Sequence, residues 1–274
     1  MAGQPPLIET RWLTKVYPDG TVALRDVNFA VQPGEIHGLL GENGAGKTTL
    51  TKILSGLLPP TAGRLLWKGV EVRFRSPREA LAAGIGMVHQ HFALVGPFTG
   101  LENVALGAEG GPLLGAVRAR PIAQKLHAIM ERSGLQAPLD VPVERLPVGV
   151  QQRIEILKML YRDVDLLILD EPTAVLTPQE AEELFRTLRG LKAQGKTVIF
   201  ITHKLKEVLE ITDRITVLRG GRVVATLPTH EATPETLSTL MVGREVVPQV
   251  ERAQHGAGDP VLTVRGAASK RKKG

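Results

Sequence analysis

GENGAGKT, from Gly41 to Thr48, has the residue types and spacing of a phosphate cradle, G-x-x-x-x-G-K-[ST]. Glycines let a backbone turn through positive φ, so that several N–H groups can converge on phosphate oxygens. Lys47 adds a compact charge suited to β and γ phosphates, and Thr48 a hydroxyl suited to Mg²⁺. The stretch lies between an apolar run, EIHGLL, and a helical pattern, KTTLTKILSGLL. That is the strand–loop–helix context the chemistry needs.

A metal at such a loop needs a carboxylate. Asp170 ends the apolar run VDLLILD, and Glu171 follows it. A carboxylate at the C-terminal end of a buried parallel strand faces the ligand crevice of an open sheet. Two adjacent carboxylates can divide the work, Asp170 holding Mg²⁺ through water and Glu171 polarising the attacking water. His203 ends the next apolar run, TVIFITH, and so reaches the same edge, in range of a γ-phosphate. Gln90 follows a third strand-like run, GIGMVH, and is a candidate for the metal or the water. His89 and His91 have the spacing of a metal pair, but no third ligand accompanies them. Tyr17, beside the turn Pro18-Asp19-Gly20, is a candidate for stacking on a base.

LPVGVQQRIEILKML raises a different question. From Val150 its apolar residues Ile154, Leu157 and Leu160 recur at helical spacing. The residues ahead, Pro147-Val148-Gly149, offer no hydroxyl or carboxylate to cap the first turn. Uncapped N–H groups at a helix start attract an anion. This would be a second anion site, a hundred residues from the first.

The positioning elements can be read from the pattern. Residues 7–40 read as antiparallel strands, with turns at Pro18-Asp19-Gly20 and Pro33-Gly34. Pro59-Pro60 is expected to end the helix that opens at Lys47. TAGRLLWKGVEV reads as a short hairpin. From about 91 to 160 the pattern is helical, RPIAQKLHAIMERSGL and VQQRIEILKMLYR being its helices, and a helical subdomain is expected there. VDLLILD and TVIFITH are almost wholly apolar and read as buried parallel strands, joined by the helix TPQEAEELFRTLRGLKAQG. RITVLRGGRVVATL reads as a hairpin and PETLSTLMVGR as a last helix.

Composition excludes several classes. The chain has 274 residues, 43% apolar and 23% charged, which is ordinary for a globular protein. It has no cysteine, which excludes disulfides and thiol chemistry. Its net charge of +6 leans on Lys270, Arg271, Lys272 and Lys273, so the body is only mildly basic. With aromatics at 4%, neither a nucleic-acid footprint nor a base-stacking platform is expected. No run of about 18 apolar residues suggests a membrane span, and MAGQPPLIET lacks a signal pattern. The chain is expected to stay in the cytoplasm, any membrane role needing a partner.

Taken in order, Tyr17, GENGAGKTT, Gln90, LPVGVQQR, LLILDEP and ITH resemble the ATP-binding cassette family over about residues 7–245. The resemblance implies an α/β fold: a P-loop NTPase core with an antiparallel β-subdomain and a helical subdomain, in one domain spanning 1–245. It implies ATP and Mg²⁺ as cofactors. It carries nucleotide contacts onto Tyr17, Gly41, Asn43, Gly44, Ala45, Gly46, Lys47, Thr48 and Thr49, metal contacts onto Thr48, Gln90 and Asp170, and catalysis onto Glu171, His203 and Gln90. LPVGVQQR then matches the signature segment, whose helix start meets the γ-phosphate held by the opposite cassette of a head-to-tail dimer. Val148, Gly149 and Gln151 would serve the partner's ATP.

Two departures stand out. Pro147 occupies the usual signature serine position, and Thr177 stands where an aspartate is usual. Either would weaken hydrolysis at one composite site, leaving open a regulatory cassette that binds ATP with little turnover. GIGMVHQHFALVGPFTGLENVALG and DLLILDEPTAVLTPQE resemble the first cassette of importers for nucleosides and simple sugars, which usually carry two cassettes per chain. The implied partners are a second cassette (a homodimer or a fused half), membrane-spanning permease subunits contacted through HFALVGPFTGLENV and, indirectly, an extracytoplasmic substrate-binding protein. The implied place is the cytoplasmic face of the membrane. Cassette ATPases of translation or DNA repair, the alternative, usually carry charged linkers or coiled-coil insertions, and this chain has neither. PVLTVRG at 260–266 echoes PLIETRW at 6–12, so 246–274 reads as a linker and the start of a second cassette, ending in a disordered tail.

Overall fold

The computed structural model describes residues 5–90, 92–106 and 116–243, with backbone alone for 116–119. His91, the linker and the echo at 260–266 lie outside the described residues.

The chain opens with β1 (Ile8–Val16) and β2 (Val22–Val31), which pair antiparallel. β3 (Ile36–Leu40) follows the turn at Pro33-Gly34. It corrects the expectation of antiparallel strands throughout 7–40, because β3 leaves its predecessors for a second sheet and pairs parallel there. The reason is visible in burial. β1 keeps solvated positions, whereas all five residues of β3 are buried, and a strand covered on both faces suits the middle of a parallel sheet.

α1 (Lys47–Leu54) stops several residues before Pro59, a second correction. Gly56 takes φ 72, and the amides of Leu57 and Leu58 both donate to the Lys52 carbonyl, which closes the helix. β4 (Ala62–Trp67) and β5 (Val70–Val72) form the expected hairpin and complete an antiparallel sheet in the order β2-β1-β4-β5.

The second sheet adds β6 (Ile85–Val88), β7 (Leu166–Asp170), β8 (Thr197–Thr202), β9 (Arg214–Arg219) and β10 (Arg222–Pro228) in the order β10-β9-β3-β8-β7-β6. Its described pairings are parallel except that of β9 with β10. Two short helices escape the sequence reading, α2 (Pro77–Ala82) and, after β8, α7 (Leu205–Ile211). Between β6 and β7 the chain forms α3 (Gly100–Ala105), α4 (Ala116–Ser133), a 3₁₀ turn (Val143–Arg145) and α5 (Val148–Tyr161). α6 (Pro178–Ala193) makes the crossover from β7 to β8, and α8 (Pro234–Val242) follows β10.

The apolar runs serve two cores at once. On β7, Leu166 and Ile168 join one cluster with Leu50 and Leu54 of α1 and with Leu13 and Phe29 of the antiparallel sheet. Leu167 and Leu169 point the other way, into a cluster with Leu126, Ile154, Leu157 and Phe185 from α4, α5 and α6. β8 divides likewise, Ile199 and Ile201 against Val198 and Phe200. A period of two in an unbroken apolar strand therefore glues the sheet to a layer on each face.

Phe200 is fully buried and meets Phe185 edge-on at 5.8 Å between ring centroids. Phe200→Ala is expected to cost about 3–5 kcal/mol in urea unfolding. A loss below about 1 kcal/mol would show that this face is not the tightly packed core described.

Candidate functional site

β3 ends at Leu40, and the phosphate-type loop begins at Gly41. Leu40 is level with Thr202 of β8, and Ile201 is level with Asp170 of β7. Parallel pairing in this register sets the loop, the Asp170–Glu171 pair and His203 along one edge of the sheet. Gly41 and His203 lie 162 residues apart in sequence, so only the sheet brings them together.

Gly46 precedes α1 at φ 105, and a Cβ there would lie 2.8 Å from the Ala23 carbonyl, so no other residue fits this turn. Among the described residues no side chain caps α1. The loop is braced from behind, since the Ala45 carbonyl accepts from Gly221 N at the β9–β10 turn, 3.1 Å. Asn43, Gly44 and Thr48 are exposed, and Thr49 is half-buried. Lys47 is buried and its Nζ donates to the carbonyls of Gly41 (2.7 Å) and Glu42 (3.0 Å). Burial lowers its pKa, and Glu171 and Asp170 oppose that shift. Tyr17 is half-buried, with its hydroxyl 3.2 Å from the Thr49 hydroxyl, which fixes the ring beside α1.

Asp170 titrates above the usual carboxylate range. Burial is the main cause and Glu171 adds to it, while His89, Lys47 and Lys52 pull the other way. Glu171 sits at φ 47, a costly conformation for a non-glycine residue. Its amide donates to the Ile201 carbonyl (3.0 Å), which pins the strained residue to β8. Its Oε1 lies 3.1 Å from Nδ1 of His203, which is about half exposed. Gln90 is exposed at the end of β6, the edge strand beside β7. Among the described residues no three or more His, Cys, Asp or Glu side chains form a metal cage. The chemistry of Asp170 still fits a hard cation, because a half-buried carboxylate beside a second carboxylate gains from positive charge, and Mg²⁺ often takes one or two carboxylates together with phosphate oxygens.

The first turn of α5 begins two residues earlier than its apolar pattern indicates. Pro147 is its N-cap, and the amides of Val150 and Gln151 both donate to the Pro147 carbonyl at 3.0 Å. Among the described residues no side chain caps this turn, and Val148 is 44% exposed. The Gln151 amide turns back to the Leu146 carbonyl (2.9 Å), which commits its side chain locally. A Cβ on Gly149 would meet the Glu180 carboxylate, so a larger residue there would displace that side chain of α6. A cleft of about 420 Å³, bordered by Gly149, Gln152, Arg153, Glu180 and Glu183, opens beside this turn rather than at the phosphate-type loop.

Three residues escaped the sequence reading. Gln152 is buried and its Nε2 donates to the Pro172 carbonyl (2.6 Å), tying α5 to the residue after Glu171. Arg153 pairs with Glu183 across α5 and α6. Glu180 belongs to a capping box, its Oε2 accepting from the Thr177 amide and hydroxyl, both at 2.9 Å. The Thr177 bonds hold its carboxyl below the usual range. The pattern T-x-x-E was legible at 177–180 as a helix start. Thr177 thus keeps a definite role, as the cap that begins α6.

Comparison with known proteins shows the family and the fold. A family model described as "ABC transporter" matches residues 24–174. The glucose import ATP-binding protein TsgD13 of Haloferax volcanii is 45% identical, with 96% of this chain aligned to 53% of that protein. The guanosine import ATP-binding protein NupO of Bacillus subtilis is 46% identical, with 98% of this chain aligned to 52% of it. The chain therefore spans about half the length of these relatives. Among solved structures, cbiO1 from Clostridium perfringens, part of the ABC transporter complex cbiONQ, is 28% identical, with a TM-score of 0.73 over 87% of this chain and 95% of its own. The cassette MJ0796, a dimer in a post-hydrolysis state bound to ADP and Pi, is 27% identical, with a TM-score of 0.69 over 81% of this chain and 98% of its own.

The electrostatics give a prediction with a defined sign. Because the folded-state pKa of Asp170 is raised, stability falls as pH climbs from its ordinary value through the raised one, and the deficit persists above. Asp170→Asn should therefore stabilise the ligand-free protein at pH 7, by about 0.5–2 kcal/mol, and the gain should vanish in acid below the ordinary carboxylate range. Thermal melts across pH check this, and a destabilised variant at pH 7 would refute it.

Proposed function

The chain belongs to the ABC transporter family, and on that premise we propose that it binds and hydrolyses ATP to energise an importer of nucleosides or related simple sugars. The observation that carries this reading is the shared edge. The glycine loop with Lys47, the pair Asp170–Glu171 and His203 meet at the ends of β3, β7 and β8.

The Gly41–Gly46 backbone and the uncapped start of α1 receive the β and γ phosphates, with contacts from Asn43, Ala45 and Thr49 and a stacking surface from Tyr17 for the base. Lys47 exchanges the Gly41 and Glu42 carbonyls for phosphate oxygens. The buried ammonium thereby regains a full counter-charge, which opposes its lowered pKa. Thr48, Asp170 and Gln90 would hold Mg²⁺, which neutralises charge on the phosphates when bound. Glu171 accepts a proton from the attacking water. A carboxylate only accepts hydrogen bonds, so the 3.1 Å contact makes His203 Nδ1 the donor. To donate to a γ-phosphate as well, the ring must use Nε2–H and hence be an imidazolium.

The α5 start would receive the γ-phosphate of a second cassette through the amides of Val148 and Gly149. With the Gln151 side chain held by Leu146 and no hydroxyl at Pro147, the backbone carries this contact. The same lack of a hydroxyl favours a second reading, a cassette that binds ATP and turns it over slowly. The relatives' length supports a tandem arrangement: a cassette at 1–245 with a helical subdomain at about 91–160, and a linker and second-cassette start at 246–274. Permease subunits would bind the segment after Gln90 at the cytoplasmic face of the membrane, with a substrate-binding protein acting indirectly. Among the described residues no helix is long and apolar enough to cross a membrane. The reading includes no nucleic-acid partner.

Glu171→Gln should slow ATP turnover on the order of 100-fold or more, measured as phosphate release. Unchanged turnover would sink the hydrolytic assignment and favour the cassette that binds ATP with little turnover. Light scattering of this variant with Mg-ATP then reports pairing, a dimer indicating self-association and a nucleotide-bound monomer a missing second cassette. Lys47→Ala should raise the Kd for ATP roughly 10- to 100-fold, the worth of hydrogen bonds to charged groups, as read by calorimetry.

A further inference from the structure

Glu207 lies on α7, four residues beyond His203, and no chemistry has been given to it. Its side chain is 14% exposed and engaged on both oxygens. Oε2 accepts from the hydroxyl of Thr173 (2.7 Å) and from that of Thr202 (3.1 Å). Oε1 lies 3.0 Å from the Lys204 ammonium. Lys204 reaches the Thr173 carbonyl (3.2 Å), and its amide donates to the Thr202 hydroxyl (3.0 Å). Both threonines are buried.

The placement of these threonines gives the cluster its meaning. Thr173 is two residues after Glu171, and Thr202 is the residue before His203. One carboxylate oxygen therefore holds the chain just past the strained Glu171 to the chain just before the imidazole. Glu171 at φ 47 leaves the sheet at once, and beyond its own backbone bonds the segment is held by Gln152 on the Pro172 carbonyl and by this clamp. We infer that Glu207 is a positioning residue for hydrolysis, setting the Glu171–His203 separation by tying the ends of β7 and β8 together. The inference rests on the reading that Glu171 and His203 act on ATP. A carboxylate suits the task because it accepts both hydroxyls on one oxygen and keeps the other for Lys204.

The test compares Glu207→Ala and Glu207→Gln in the full chain. Steady-state ATPase gives kcat and KM, a fluorescent ATP analogue gives Kd, and ¹H–¹⁵N spectra follow the His203 imidazole, assigned with His203→Gln. Glu207→Ala should lower kcat on the order of 10- to 100-fold, the effect of a small misplacement of reacting groups, with KM and the analogue Kd unchanged. The imidazole resonances should move. Glu207→Gln should recover most of kcat, because its amide oxygen still accepts the hydroxyls. In a Glu171→Gln background Glu207→Ala should cause no further loss, since both act through one pair.

An unmoved imidazole, or a loss of kcat that persists undiminished in the Glu171→Gln background, would overturn the inference. Should Glu207→Ala not fold, Thr173→Val removes one arm of the clamp at constant shape and must displace the same resonances. If the wild-type chain proves inactive on ATP, the functional reading fails on that count alone. The imidazole spectrum still decides the clamp, displacement supporting it and invariance refuting it.

Discussion

The register between three parallel strands is the constraint on which everything else rests. Leu40 beside Thr202 and Asp170 beside Ile201 bring the ends of β3, β8 and β7 level with one another. Each strand then releases its chain at the same edge, one into the glycine loop, one into the paired carboxylates and one into the histidine. A slip of one residue would turn every side chain on that strand to the opposite face and break both cores. Hydrophobic packing thus fixes the alignment of polar groups that it never touches.

The edge itself concentrates unfavourable terms. Asp170 is half-buried beside another carboxylate, Lys47 is a buried cation, and Glu171 holds a left-handed backbone conformation. None of these would persist on a loose scaffold. The apolar layers on both faces of the sheet hold them, with Leu166 and Ile168 packed against α1 and Leu167 and Leu169 against the helices after β6. On the proposed function, the charges of Lys47 and Asp170 are the ones an anionic, metal-associated ligand would offset.

The helical segment is connected to this edge through few bonds. Gln152 reaches the Pro172 carbonyl, Arg153 pairs with Glu183, and Gly149 rests on Glu180. The start of α5 is in this way linked to the residues after Glu171. Thr177 is the cap of α6 and holds Glu180 in place. Threonine is among the residues that cap helix starts well.

The sequence by itself determined the local chemistry. A loop of fixed glycine spacing, carboxylates closing an apolar run and a capping pattern at 177–180 are properties of neighbouring residues, so composition and period reveal them. Continuous apolar runs also announced β7 and β8 as buried parallel strands. The tertiary structure decided what depends on long-range pairing. It moved β3 out of the antiparallel sheet, because nothing within IHGLL distinguishes its partners until both faces are seen to be buried. It ended α1 at Leu54, two residues before the turn at Gly56, and began α5 at Val148, where backbone bonds rather than side-chain pattern set the limits. It joined Glu171 to His203, and Gln152 and Glu207 to the segment after Glu171, across 20 to 34 residues. Such contacts carry no periodic signal, because they arise only once the sheet has aligned its strand ends.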